Sequence, residues 1–155
     1  AFVRTEELEK PNGIENLYGK YDIESEFKRQ KLNMNEFMFL NQYDNGTYQL
    51  CPTYPSTVVV PRVSKRMILN SAKSRTKRRL PVLSFYHRKA HTYLYRSSQP
   101  VTTLYSTPDK DYLKELKFTG IHRDNCLKEL IIIDCRSILY ATANLATGGS
   151  YENQS

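Results

Sequence analysis

Three cysteines, Cys51, Cys126 and Cys135, are the side chains of this 155-residue chain best suited to nucleophilic attack. A thiolate that attacks phosphate esters sits in a Cys-x5-Arg loop. Backbone N–H groups cradle the oxyanion there, and the arginine completes the cradle and depresses the thiol pKa. The sixth residue after each cysteine is Thr57, Ile132 or Ala141, so none of the three heads such a loop. Their odd number and scattered spacing are not a disulfide framework either; reduced thiols in the cytosol are the simpler reading. His87 and His91 have the spacing of two metal ligands on one helical face. Pro81 and the strand formers around it put them on a hairpin instead, with no third ligand in view, so two exposed histidines are expected. No metal and no cofactor are expected. A Gly-x-Ser-x-Gly elbow, a Walker loop and a Gly-x-Gly-x-x-Gly turn are all absent from the sequence.

Two further places invite chemistry. Asp134 ends a β-branched run and is followed by Cys135-Arg136. Functional groups gather at the ends of buried strands in α/β folds, although a structural Asp–Arg pair or a helix-capping carboxylate is the commoner use of such residues. Asn144 falls late in a helical stretch just before Gly148-Gly149. An amide there can donate to a phosphate or a hydroxyl, and the glycines allow close backbone approach. Asn144, Gly148 and Gly149 are therefore the candidate substrate-binding residues, and no catalytic residue is assigned. The competing use of Asn144 is a bond to the last turn of its own helix.

The elements that must position these residues can be read from local signals. Residues 1–20 are polar, carry a Pro11-Asn12-Gly13 turn and read as a linker; a domain follows over 21–155. Asp22 can cap a short helix with Ile23 and Phe27 on its apolar side and Glu24 and Lys28 paired on its wet side. Asp44-Asn45-Gly46 is a tight-turn signal, and Tyr48–Cys51 and Thr57–Val60 read as extended runs punctuated by prolines. Leu80–Tyr86 and Thr92–Tyr95 form a hairpin turning at Arg88-Lys89-Ala90. Thr107-Pro108-Asp109 opens a helix whose apolar side is Tyr112, Leu113 and Leu116. Leu130–Ile133 is the strongest strand signal and is expected at the centre of a sheet, buried on both faces. Ser137 then caps a helix over Ile138–Ala146. The order predicts an α/β fold with a mixed sheet. So buried a strand so late in the sequence has few elements to cover it, which predicts an incomplete domain of poor stability in isolation.

Composition narrows the partners. With 39% hydrophobic and 25% charged residues, the chain is ordinary for a globular protein. The formal net charge of +7 favours anionic partners. The positive charge concentrates in Arg62, Lys65, Arg66, Lys73, Arg75, Lys77, Arg78 and Arg79. This stretch matches no groove-reading or base-stacking motif, so no nucleic acid is expected. A solvated basic surface, or one facing anionic lipid headgroups, is the expectation.

Five ordered stretches resemble the myotubularin phosphatase domain. Tyr48-Gln49-Leu50-Cys51-Pro52-Thr53-Tyr54-Pro55, followed by Val60-Pro61, is similar to its Tyr-x-Leu/Ile-Cys-x-Thr-Tyr-Pro opening. Lys73–Phe85 resembles its Phe-Arg-Ser … Pro-Val-Leu-Ser stretch, Arg96-Ser97-Ser98-Gln99-Pro100 its Arg-x-Ser-Gln-Pro, and Asp134-Cys135-Arg136 its Asp-x-Arg-Pro. Ala143-Asn144 through Gly148-Gly149-Ser150-Tyr151-Glu152 resembles its Ala-Asn … Gly-x-Gly-Tyr-Glu. Tyr21–Leu32 resembles the family's lead-in. The resemblance implies an incomplete cysteine-phosphatase-like domain of the protein tyrosine phosphatase superfamily, ending before the catalytic loop. It also implies removal of the 3-phosphate of phosphatidylinositol 3-phosphate and 3,5-bisphosphate, with Asn144 near the inositol headgroup. Implied partners are phosphoinositide lipids at a membrane surface, and homo- or hetero-oligomers with relatives. The implied location is cytoplasmic, peripheral to endosomal or other phosphoinositide-bearing membranes. Ser137 and Ser150 stand where the family has Pro and Gly, and Phe85 where it has Trp or Tyr. Such divergence also fits a catalytically dead adaptor that binds phosphoinositide membranes or an active relative.

Overall fold

The computed structural model describes residues 22–44, 47–101, 107–119 and 129–146. Helix α1 spans Ile23–Arg29 and starts where expected: the Asp22 carboxylate accepts from the N–H groups of Glu24 and Ser25 at 3.0 and 3.2 Å. Strand β1, Phe37–Asn41, follows, and then a two-residue-strand hairpin, β2 (Tyr43–Asp44) and β3 (Thr47–Tyr48). Strand β4 is Thr57–Pro61 and helix α2 is Lys65–Lys73, capped by the Ser64 hydroxyl. A short 3-10 turn, Thr76–Arg78, leads into the β5–β6 hairpin, Val82–His87 and Thr92–Arg96. Helices α3 (Thr107–Phe118) and α4 (Ile138–Ala146) complete the described elements.

The main sheet has the order β1-β4-β5-β6, with every pair antiparallel. Alternation along β4 explains its unbroken apolar run. Val58 and Val60 enter one core with Ile68 and Ala72 of α2 and Tyr112 and Leu116 of α3. Val59 enters the opposite core with Phe27 of α1, Phe37 of β1 and Tyr86 of β5. A strand covered by helices on both faces must be apolar at successive positions. Strand β5 divides the same way, Val82 to the first core and Leu83 to the second. An irregularity between Leu83 and Phe85 then shifts the register against β6.

Several expectations need correction. Leu130–Ile133 is not a central strand: the segment is irregular, and Ile131 and Ile133 are 76% and 78% exposed. The physical reason is that β4 and β5 already occupy the middle of the sheet, and helices close both of its faces. The isoleucines therefore gain neither a ladder partner nor a cover among the described residues. The expected mixture of parallel and antiparallel pairing is not seen in this sheet. Tyr48–Cys51 is extended only at its first residue, since Gln49 and Leu50 bend. Strand β1 and helix α2 were not anticipated; α2 lies inside the stretch read only as a basic surface.

Candidate functional site

The stretches that carry the resemblance converge in space. Arg75, at the start of the 3-10 turn, is fully buried. Its Nη2 and Nε donate to the Asp109 carboxylate of α3 at 2.7 and 3.1 Å, and Ser71 Oγ of α2 donates to the same carboxylate at 2.7 Å. Arg75 Nη1 reaches across to the Ser98 carbonyl at 2.8 Å. The Arg75–Asp109 pair thus joins α2, α3 and the Arg-Ser-Ser-Gln-Pro stretch. Thr76 N–H donates to the Gln99 carbonyl at 3.1 Å, and Ser98 Oγ to the Thr76 carbonyl at 2.7 Å.

The Cys-Pro-Thr-Tyr-Pro stretch braces the other side of this turn. Cys51 is buried and its thiol points to the Lys77 carbonyl, 3.3 Å away. Arg79 Nε donates to Thr53 Oγ1 at 2.7 Å, and Tyr54 OH donates to the Leu80 carbonyl at 3.0 Å. Burial pushes the Tyr54 phenol up to about 12, which keeps it a neutral donor at physiological pH. Lys77 and Arg78 both adopt left-handed backbone, φ 54° and 58°. Consecutive bulky residues in that region are costly, and the bracing from three sides holds them there.

The third part is the foot of α4. Arg136 donates through Nη2 and Nε to the Asp134 carboxylate at 2.5 and 2.9 Å, and Arg136 Nη1 donates to the Gln99 side-chain oxygen. Asp134 therefore sits in the structural ion pair weighed against a functional role. Arg136, through its side-chain bonds and its backbone N–H, holds the Asp134 carboxyl down to about 2. A depressed folded-state value means that the pair's contribution is complete above the ordinary carboxylate range and is lost as pH falls through about 2. A carboxyl-detected NMR titration should place the Asp134 midpoint near that value, and Arg136→Ala should return it toward the ordinary range.

Ser137 caps α4 as expected, its hydroxyl accepting from Tyr140 N–H at 3.4 Å. Asn144 lies in the last turn of α4, while Gly148 and Gly149 lie outside the described residues. The cluster thus fixes the start of the helix that carries Asn144 through Gln99 and Arg136. Sequence reasoning missed Gln99, Arg75 and Asp109 as partners. The available signal is the Arg-Ser-Ser-Gln-Pro stretch, whose residues carry the resemblance.

The basic region is not one free surface. Arg75 is buried, Arg62 donates to the carbonyls of Met34 and Phe37, and Arg79 is held by Thr53. Lys65, Arg66, Lys73, Lys77 and Arg78 remain exposed.

Comparison with known proteins supplies the family. A Myotubularin-like phosphatase domain model matches residues 1–155. Myotubularin of Xenopus laevis is 35% identical over 144 residues, which is 90% of this chain and 23% of that protein. The human phosphatidylinositol-3,5-bisphosphate 3-phosphatase MTMR6 is 34% identical over 149 residues, 94% of this chain and 23% of its own length. A phosphoinositide 3-phosphatase of Saccharomyces cerevisiae is 34% identical over 139 residues, 86% and 20% respectively. The chain spans under a quarter of the length of these relatives. With a family match along its whole length, and with the motif stretches assembled into one braced cluster, the chain belongs to the myotubularin-like phosphatase domain family.

Proposed function

We propose that this chain is part of a phosphoinositide phosphatase that removes the 3-phosphate of phosphatidylinositol 3-phosphate and 3,5-bisphosphate. The observation that carries the reading is the family match over residues 1–155, with relatives named as phosphatases of these lipids. In this reading residues 21–155 are the N-terminal part of a domain with the cysteine-phosphatase fold, and residues 1–20 lead into it. The protein works in the cytoplasm at phosphoinositide-bearing membranes, endosomal ones among them, and pairs with itself or with relatives. The exposed cations of α2 and the braced Lys77-Arg78 turn support a surface that meets anionic headgroups.

The 155 residues contain no Cys-x5-Arg, so this chain by itself is expected to release no phosphate from phosphatidylinositol 3-phosphate. In a protein joining these residues to a Cys-x5-Arg loop, Asn144→Ala should lower lipid phosphatase activity about tenfold or more, the worth of one hydrogen bond to a charged group. Thermal stability should hardly change. Loss of stability with activity intact would make Asn144 a helix-ending residue and remove it from the site. If the joined protein binds the lipids but never hydrolyses them, the dead-adaptor reading replaces the enzymatic one.

A further inference from the structure

Between the end of α1 and the tip of the β5–β6 hairpin lies an open groove of about 800 Å3. That volume suits a small molecule rather than a length of folded peptide. It shares no residue with the Gln99–Arg136–Asp134 cluster. The groove is lined by Arg29 from α1 and by His87, Arg88, Lys89 and His91 from the hairpin, with no carboxylate among its lining residues.

Its floor is rigid. Gln30, 8% exposed, accepts the Tyr86 N–H through Oε1 at 2.8 Å, while its Nε2 donates to Glu26 at 2.8 Å. Tyr86 is buried, and its hydroxyl meets His91 Nδ1 at 3.1 Å. The Ala90 N–H donates to His87 Nδ1 at 3.1 Å, which leaves the neutral His87 ring its proton on Nε2, a donor. His91 takes left-handed backbone at φ 48°, where glycine would sit without strain. Phe85 offers an apolar ring at the rim, 43% exposed.

The charge balance singles out two of the cations. Arg29 is neutralised by Glu26, its Nη2 donating at 2.7 Å. Neither Arg88 nor Lys89 has an ion-pair partner among the described residues. Two cations and an oriented imidazole N–H beside a hydrogen-bonded wall are donors without acceptors among the described residues. Guanidinium and ammonium groups so placed favour the dianion of a phosphomonoester, whose three oxygens accept from several donors at once.

We propose that this groove binds a phosphomonoester-bearing ligand, with Arg88 and Lys89 as the principal cations and His87 Nε2–H as a further donor. The ligand is either a soluble phosphate ester or a lipid headgroup presented at a membrane, and the two sources are separable by experiment. The full chain is titrated with inorganic pyrophosphate and followed by backbone-amide NMR. In parallel it is sedimented with phosphatidylcholine vesicles containing either phosphatidic acid, a phosphomonoester, or phosphatidylglycerol, a phosphodiester.

The expected result is that pyrophosphate shifts the amides of residues 87–91. Arg88→Ala combined with Lys89→Ala should weaken binding about tenfold or more, since the two exposed charge-assisted bonds together are worth at least that much. Both substitutions lie on an exposed turn, so the melting temperature should stay unchanged. Lys114→Ala combined with Lys117→Ala removes the same charge from exposed positions of α3 outside the groove and should change affinity less than about twofold. Binding to phosphatidic acid vesicles in preference to phosphatidylglycerol assigns the headgroup source. Response to pyrophosphate without vesicle binding assigns the soluble source. Shifts confined to other segments, or equal losses in the two double variants, would overturn the proposal.

Discussion

Asp109→Ala should destabilise the chain by about 3–5 kcal/mol, the cost of leaving a buried charge without its partner. The Arg75 guanidinium is fully buried, and Asp109 carries the two bonds that neutralise it. Removing the carboxylate also strands Ser71 Oγ, which donates to the same group. Domains of this size have about 5–15 kcal/mol of stability in total, so the variant should lose a large share of it. Urea unfolding followed by circular dichroism measures the loss. Replacing both partners with apolar residues, Arg75→Met with Asp109→Leu, should recover much of it, because no uncompensated charge then remains. A loss below about 1 kcal/mol in the single variant would mean that water reaches the pair and that the clamp is a surface contact. Because Arg75 also holds the Ser98 carbonyl, the same variant should loosen the stretch that carries Gln99 to Arg136.

The second large effect is a contrast between two apolar residues. Phe37→Ala should cost about 3–5 kcal/mol, the range for removing a buried aromatic ring. Phe37 is completely buried between α1 and the sheet, with its ring 5.2 Å from that of Tyr93. Ile133→Ala should change stability by less than about 0.5 kcal/mol, because an exposed side chain forfeits almost no contacts. The same unfolding experiment compares them. Should Ile133→Ala cost as much as Phe37→Ala, the isoleucine run is buried after all and a central strand is restored. The exposed apolar side chains of Ile131, Ile133, Ile138, Leu139 and Tyr140 also predict that the isolated chain binds a hydrophobic dye in its folded state. Ile133→Lys should reduce that binding without loss of stability.

Local signals in the sequence determined much of what the structure contains. Asp22 and Ser137 cap helices because a short polar side chain can satisfy the amides of the next turn wherever it stands. The β5–β6 hairpin turns at Arg88-Lys89-Ala90, and Tyr112 and Leu116 of α3 face the core, because periodicity is a property of a few neighbouring residues. The motif order located Asn144 on its helix and identified the family. Only the tertiary structure decided the rest. Arg75 looked like one more cation in a basic stretch, and burial became its fate because Asp109, 34 residues away, arrives on α3 to neutralise it. Strand β1 has no turn signal of its own to mark it, and its identity comes from pairing with β4 residue by residue from Phe37↔Pro61 to Asn41↔Thr57. Leu130–Ile133 carries a stronger β signal than β1 does, yet its three isoleucines lie exposed. Strand propensity measures how well a side chain fits a covered, paired surface, and whether that surface exists is settled by residues far away in the chain.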